Sequence, residues 1–184
     1  MKEKKYSIIE GILKDDNVVM AINNNIETVL DYIPEIKYMK GYKEKDSNLD
    51  LWNHTLLTLF NSDEDIEVRL ALLFHDIGKP FSYKKNKVLE DRPHEEVSAE
   101  MSSHILKRLG YEDEKIKRIT YLVANHNTRI EDNLILDNIR LAIKLYKVQY
   151  CNILAHSQNK QEKGKKYLTR IKQRIKIEET RLDY

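Results

Sequence analysis

Ala71-Leu72-Leu73-Phe74-His75-Asp76-Ile77-Gly78-Lys79-Pro80 is the stretch whose reading decides the fold. Its apolar run is too continuous for a surface helix. It reads as the last turns of a buried helix that deliver a His-Asp pair to a sharp stop. Gly78 can take the left-handed turn that ends a helix, and Pro80 forbids an immediate restart. An ionised carboxylate and an imidazole at the end of a buried helix need partners, and a bound cation is a natural one. The plainer alternative is a polar helix end that meets water, with Lys79 complementing the helix dipole. The placement of the other histidines separates the two.

Upstream, Asp50 caps a helix from about 51 to 61 with an apolar stripe of Trp52, Leu56, Leu59 and Phe60. His54 lies in its first turn or so, between Leu51 and Leu57. Ser62 and Asp65 read as a capping box for the helix of about 64 to 76 that carries the opening stretch. Residues 1–32 hold two weaker helical patterns, stopped by Pro34, and 35–48 read as a loop. Downstream, 77–93 is the longest non-helical stretch, in which Phe81-Ser82-Tyr83 and Val88-Leu89 could pair as a short hairpin. Pro93 opens a helix of about 94 to 109, closed by Gly110. Asp113 caps one of about 113 to 126. Residues 134–146 and 147–158 form one long helix or two with a bend, and 161–184 form a mixed-charge helix. The sum is an all-α bundle of roughly seven or eight helices. It is read as a single domain over 1–184, with a core at 33–158, N-terminal helices in 1–32 and a C-terminal helix in 159–184.

The 184 residues suffice for one domain with a real core. Apolar content of 41% and charged content of 34% fit a soluble, helix-rich chain. A formal net charge of +2 is too small to imply polyanion binding by itself. Cys151 is the one cysteine, which excludes an intramolecular disulfide and a cysteine-based zinc site and fits a reducing, cytoplasmic setting. No apolar run approaches the roughly 20 residues of a membrane span. The N-terminal segment Tyr6 to Leu13 is too short and too mixed for the apolar region of a signal peptide. The lysine-rich clusters at 160–166 and 172–176 read first as a solvated helix face; RNA is the lesser possibility.

Of the six histidines, four fall on four different predicted helices, and three of these sit at helix ends. His75 ends one, His94 begins one, His126 ends one, and His54 is near the start of its own. Such positions can converge on one cavity in a bundle. Imidazole and carboxylate without thiolate suit Fe, Mn, Co, Ni or Zn, with Mg also possible. His104, beside the stripe of Val97, Met101 and Ile105, is a surface or boundary residue. His156, four after Asn152, could approach the same cavity, with packing the preferred reading.

Four motifs in order carry a family resemblance: Asn53-His54-Thr55-Leu56-Leu57, His75-Asp76-Ile77-Gly78-Lys79-Pro80, His94-Glu95-Glu96-Val97-Ser98-Ala99 and Val123-Ala124-Asn125-His126. Together they resemble the HD-domain metal-dependent phosphohydrolase superfamily. In particular they resemble the HD domain that follows the head of bacterial multifunctional CCA-adding tRNA nucleotidyltransferases. Ile33-Pro34-Glu35-Ile36 and Gly41-Tyr42 resemble the segment leading into that domain. Nothing here supplies the Gly-Ser and paired-Asp signature of the nucleotidyltransferase head, so CCA addition is not expected.

The resemblance implies a metal-dependent phosphohydrolase, a phosphomonoesterase or cyclic phosphodiesterase acting on a nucleotide or similar small phosphorylated substrate, with one or two divalent ions. It implies that His54, His75, Asp76 and the position of Asn152 hold one metal, with Asp76 bridging to a second held by His94 and His126. Asp76 would orient or bridge the attacking water, Lys79 would contact the substrate phosphate, and Arg92 or Lys84 would add charge neutralisation. The family carries Asp where this chain has Asn152. An amide oxygen can coordinate a cation, but it brings no charge and cannot act as a base. Asp137 could substitute if the long helix folds back. The alternative is a non-catalytic HD module that binds a nucleotide or RNA with a degraded metal site.

Overall fold

The computed structural model of the protein describes residues 5–43, 49–82 and 92–182. Among these residues the architecture is all-α, with an isolated bridge between Lys43 and Asp50 and no strand. In chain order come α1 (Lys5–Leu13), α2 (Val18–Asn24), α3 (Ile26–Tyr32), a 3-10 segment at Pro34–Tyr38, α4 (Leu51–Phe60) and α5 (Ile66–Phe74). A single turn, α6 (Lys79–Ser82), precedes α7 (His94–Leu109), α8 (Asp113–Ala124), α9 (Asp132–Asp137), α10 (Ile139–Leu154) and α11 (Gln158–Leu182). The bundle is cut into more segments than seven or eight because asparagines interrupt it. Asn25 ends α2 and begins α3. Asn138 leaves helical geometry and takes the Leu141 amide on its side chain, starting α10 afresh. The break therefore falls at 138, and α10 runs straight through the bend expected near 146.

Helix α5 is the hub. Every residue from Glu67 to Gly78 is buried, and α5 packs against α1, α4, α7, α8 and α10. Each fully buried Leu or Phe contributes about 1.5–3 kcal/mol, so Leu70, Leu72, Leu73 and Phe74 hold this helix by burial on all sides. Its two charged residues are buried only with partners. The Arg69 guanidinium donates to the carbonyls of Leu13 and Asp15, tying down the α1–α2 turn. Glu67 accepts from Arg118 at 2.8 Å and faces Lys144 at 2.9 Å. Such pairing is what makes a buried charge tolerable.

The helix starts follow from local acceptors, with two corrections. Asp50 caps α4 by accepting from the Asn53 amide at 2.8 Å and also takes the Gly41 amide at 2.9 Å. Asp65 alone caps α5, accepting from the amides of Glu67 and Val68. Ser62 instead donates to the Leu59 carbonyl, so the expected capping box does not form. The cap of α8 is Glu112, without a side-chain bond, and Asp113 is the first helical residue.

Gly78 is also not what the sequence suggested. Among the glycines only Gly41 and Gly110 have positive φ, and Gly110 closes α7 in the left-handed conformation at φ 89°. At Gly78 the constraint is space: a Cβ there would lie 2.5 Å from the Ser98 amide nitrogen and 2.8 Å from the Val97 carbonyl carbon. The missing side chain lets α7 seat its first turns against the end of α5. The Gly78 amide donates to Ser98 Oγ at 2.9 Å. Pro80 then lies inside the α6 turn, where its fixed φ suits the helix start. Phe81 and Ser82 complete that turn. The remainder of the proposed hairpin, and Lys84, lie outside the described residues.

Candidate metal centre

The junction of α5 and α7 brings the four histidines to one carboxylate. His75 is the C-cap of α5, Asp76 and Gly78 follow it in a tight turn, His94 is the first residue of α7, and His126 lies just past the end of α8. His54 projects from the first turns of α4, and Asn152 comes from the last turn of α10. His75, Asp76, His126 and Asn152 are almost fully buried. Asp76 Oδ2 lies 3.2 Å from His75 Nε2 and 4.0 Å from His54 Nε2. Its Oδ1 lies 3.3 Å from His94 Nε2 and 3.5 Å from His126 Nε2. Two donor groups result, His54–His75–Asp76 and Asp76–His94–His126, each with ligand atoms within 4.8 Å of one another. They share Asp76, one group on each oxygen.

The protonation of the rings follows from their other nitrogens. His75 Nδ1 donates to the Leu72 carbonyl at 2.7 Å, and His126 Nδ1 donates to the Val123 carbonyl at 2.7 Å. His94 Nδ1 faces Glu95 Oε2 at 3.3 Å. A neutral imidazole with its proton on Nδ1 turns a bare Nε2 lone pair inward. Such lone pairs on His75 and His94 point at carboxylate oxygens, and that of His126, 3.5 Å from Asp76 Oδ1, also faces the Asn127 amide nitrogen at 3.0 Å. His75 Nε2, His94 Nε2 and Asp76 Oδ1 are buried without a hydrogen-bond partner. Lone pairs facing a carboxylate at this range call for a cation between them, and three imidazoles locked from behind are the donor set that holds a divalent ion. The residues present fit a metal.

Electrostatics agree with that reading. Burial alone would raise the Asp76 carboxyl, but positive charge and N–H donation from the surrounding rings, His75 foremost, hold it well below the usual carboxylate range, and a cation seated between neutral rings and the carboxylate acts in the same sense. Burial and the neighbouring His75 push His54 down to about 4, so its ring is neutral at physiological pH and available as a ligand. Glu95 is likewise held low: burial opposes this, but the hydrogen bond from Asn127, one from a backbone amide and the nearby His94 and His126 together outweigh it.

Lys79 brings its Nζ to 2.8 Å from Asp76 Oδ2. Asn152 sits in the centre, its Oδ1 3.1 Å from His54 Nε2. Arg92 is not brought into it: its guanidinium is exposed and paired with Glu100 at 2.9 Å and Glu96 at 3.7 Å. Asp137 is exposed at the end of α9 and belongs to neither donor group. His104 is exposed, as expected.

Of two further residues at the centre, His156 was the lesser of two readings of the sequence and Asn127 escaped it. The His156 ring lies tilted against that of His54, 5.0 Å between centroids, half-buried, with burial and Lys160 lowering its pKa. Its i, i+4 spacing from Asn152 was the available signal. Asn127 donates to Glu95 Oε1 at 3.0 Å while its amide nitrogen lies 3.0 Å from His126 Nε2, tying two ligand-bearing elements together. Its only signal was adjacency to His126.

A fully α bundle with a His-Asp pair at the end of its central helix, ringed by histidines from three other elements, defines a class. The HD domain family model matches residues 49–176, and the chain belongs to that family. Among curated proteins it is 31% identical over 110 residues to the CC-adding tRNA nucleotidyltransferase of Thermus thermophilus. It is 29% identical over 107 residues to the A-adding tRNA nucleotidyltransferase of Deinococcus radiodurans. These matches take in 55% and 53% of this chain, and the chain spans about a quarter of each relative, 25% in both cases. No helix among the described residues is long and apolar enough to cross a membrane.

Proposed function

We propose that the protein is a metal-dependent phosphohydrolase, acting as a phosphomonoesterase or cyclic phosphodiesterase on a nucleotide or nucleotide-like phosphoester. One observation above all supports this: both oxygens of a single buried, ionised carboxylate face imidazole nitrogens that have no other partner. His54, His75, Asp76 and Asn152 would hold one ion, and Asp76, His94 and His126 a second. Fe, Mn, Co, Ni and Zn suit this donor set, with Mg the weaker candidate. Bound there, a divalent ion supplies Lewis acidity toward a phosphoryl oxygen and activates water for attack.

The chain's own residues do the rest. The carbonyls of Leu72 and Val123 and the carboxylate of Glu95 fix the three rings before substrate arrives, so little reorganisation is needed. Asp76 stays ionised and orients the attacking water with an oxygen. Lys79 Nζ lies beside that oxygen and can donate to a non-bridging phosphate oxygen, offsetting its charge. Burial of the cluster excludes bulk water and strengthens each of these interactions. The relatives' names refer to tRNA, and a nucleotide or an RNA end as ligand is inferred from that likeness.

One observation favours a second reading, a non-catalytic nucleotide- or RNA-binding HD module. The amide of Asn152 engages His54 Nε2, the atom the first ion would need. The experiment that separates the two is release of inorganic phosphate or ring opening from a panel of nucleoside monophosphates and cyclic nucleotides, with each metal supplied in turn. Turnover that requires metal and falls at least 1,000-fold, on the order expected for losing a catalytic group, in Asp76→Asn supports the hydrolase. Metal-independent binding without turnover supports the module.

A further inference from the structure

Beside the centre, an open pocket of about 290 Å³ lies between the end of α8, α10 and the start of α11. That volume is at the small-molecule end of ligand sites, roughly 300–1,000 Å³. His126 and Asn152 belong to both the cluster and the pocket wall, and His156 lines it beside them, so the two are continuous. Its wall also carries two full cations, Arg129 and Lys160, and no carboxylate. Among the described residues neither cation has an ion-pair or hydrogen-bond partner, and what sets the two apart from other exposed cations is their place together on the wall of a pocket that adjoins the cluster. Asp76 is ringed by its imidazoles and Lys79, with neither pocket cation within ion-pair distance. The positive charge of the pocket is therefore separate from the charge at the cluster. The Tyr167 hydroxyl accepts from the Ile130 amide at 2.7 Å and fixes the far wall across to the loop that carries Arg129.

We infer that Arg129 and Lys160 form an anion subsite for a second phosphate of the substrate, one that is not broken. The inference rests on the hydrolase reading and narrows it: the substrate class is a nucleotide-like ester carrying at least two phosphate groups, one at Asp76 and Lys79 and the other in the pocket. Guanidinium and ammonium groups left unpaired in a concave, acid-free wall are what recognition of a phosphate requires.

The test is calorimetric titration of inorganic pyrophosphate and inorganic phosphate into the full chain after removal of metal by chelator, so that no ion captures the probe and no turnover is read. The expected result is pyrophosphate binding at least tenfold tighter than phosphate. Arg129→Ala and Lys160→Ala should each weaken pyrophosphate about tenfold and weaken phosphate as well. Lys163→Ala, on α11 but outside the pocket lining, should leave both unchanged. Equal affinity of wild type and the Arg129→Ala/Lys160→Ala double variant for pyrophosphate would overturn the subsite. An equal loss in Lys163→Ala would overturn it too, as general electrostatic attraction. Both positions are exposed, and unchanged circular dichroism and melting would show the variants folded. A failed hydrolase reading would show instead in the phosphate-release assay, which this titration does not use.

Discussion

Asn152 brings an oxygen to His54 but no charge, and that difference is testable at a single atom. A carboxylate at the same place would accept no proton at neutral pH and would add a negative ligand. Asn152→Asp is therefore expected to tighten metal binding and raise metal-dependent turnover, on the order of 10–100-fold. Competition against a chromophoric chelator measures the first and phosphate release the second; unchanged values in both would remove residue 152 from the ligand set. At this scale much was legible. His54, His75, Asp76, His94 and His126 stood out because polar residues at the ends of apolar helices need a reason to be there, and the structure gathers them. His156 was less legible: its i, i+4 spacing from Asn152 pointed it toward the cavity, but the same spacing suits packing, which was the preferred reading. Arg92 was misleading. Glu96 and Glu100 lie four and eight residues on, along one helical face, and they take the guanidinium before any phosphate could.

The contact between the end of α5 and the first turns of α7 is what places His94 opposite Asp76. It depends on an absent Cβ. Gly78→Ala would drive a methyl into the Ser98 amide and the Val97 carbonyl, backbone atoms that cannot rotate aside. The expected cost is about 1–3 kcal/mol, in the range of overpacking. Helical circular dichroism should persist with a lower melting temperature and weaker metal retention. A wild-type melting temperature would contradict the packing account. The sequence pointed to Gly78 for the wrong reason. A glycine between a helix end and a proline resembles a left-handed cap, and only the neighbouring helix reveals a steric need. The break before α10 was similarly hidden. The apolar pattern of 134–158 continues across Asn138, and nothing apolar marks a capping side chain.

Across the whole molecule, acid should act through buried charges that are paired only when folded. Burial would raise Glu67, but Arg118 and Lys144 hold it below its ordinary value; Lys115 and Lys14 do the same for Glu10 against the same opposition. For such groups the unfolded chain takes up protons first as pH falls. Their stabilisation is full above about pH 5 and is lost as pH drops through the folded values. His54 adds to this in metal-free protein. It binds a proton unfolded near 6.5 but folded only near about 4, so stability also falls through that window. Urea midpoints at pH 7, 5.5 and 4 should decline in that order, and a flat profile would contradict the pairing. The all-α class was legible from periodicity, because the second half of α5 is a continuous apolar run and the outer helices are striped. The route by which these helices close around Asp76 was carried by the family motifs, since local pattern says little about which helices meet. The central claim is that this closure builds a metal centre, and the most direct measurement is the metal content of protein purified without affinity tag or chelator. About two transition-metal ions per chain is the predicted result. No bound metal, even after supply of Mn, Fe, Co, Ni or Zn, would contradict it.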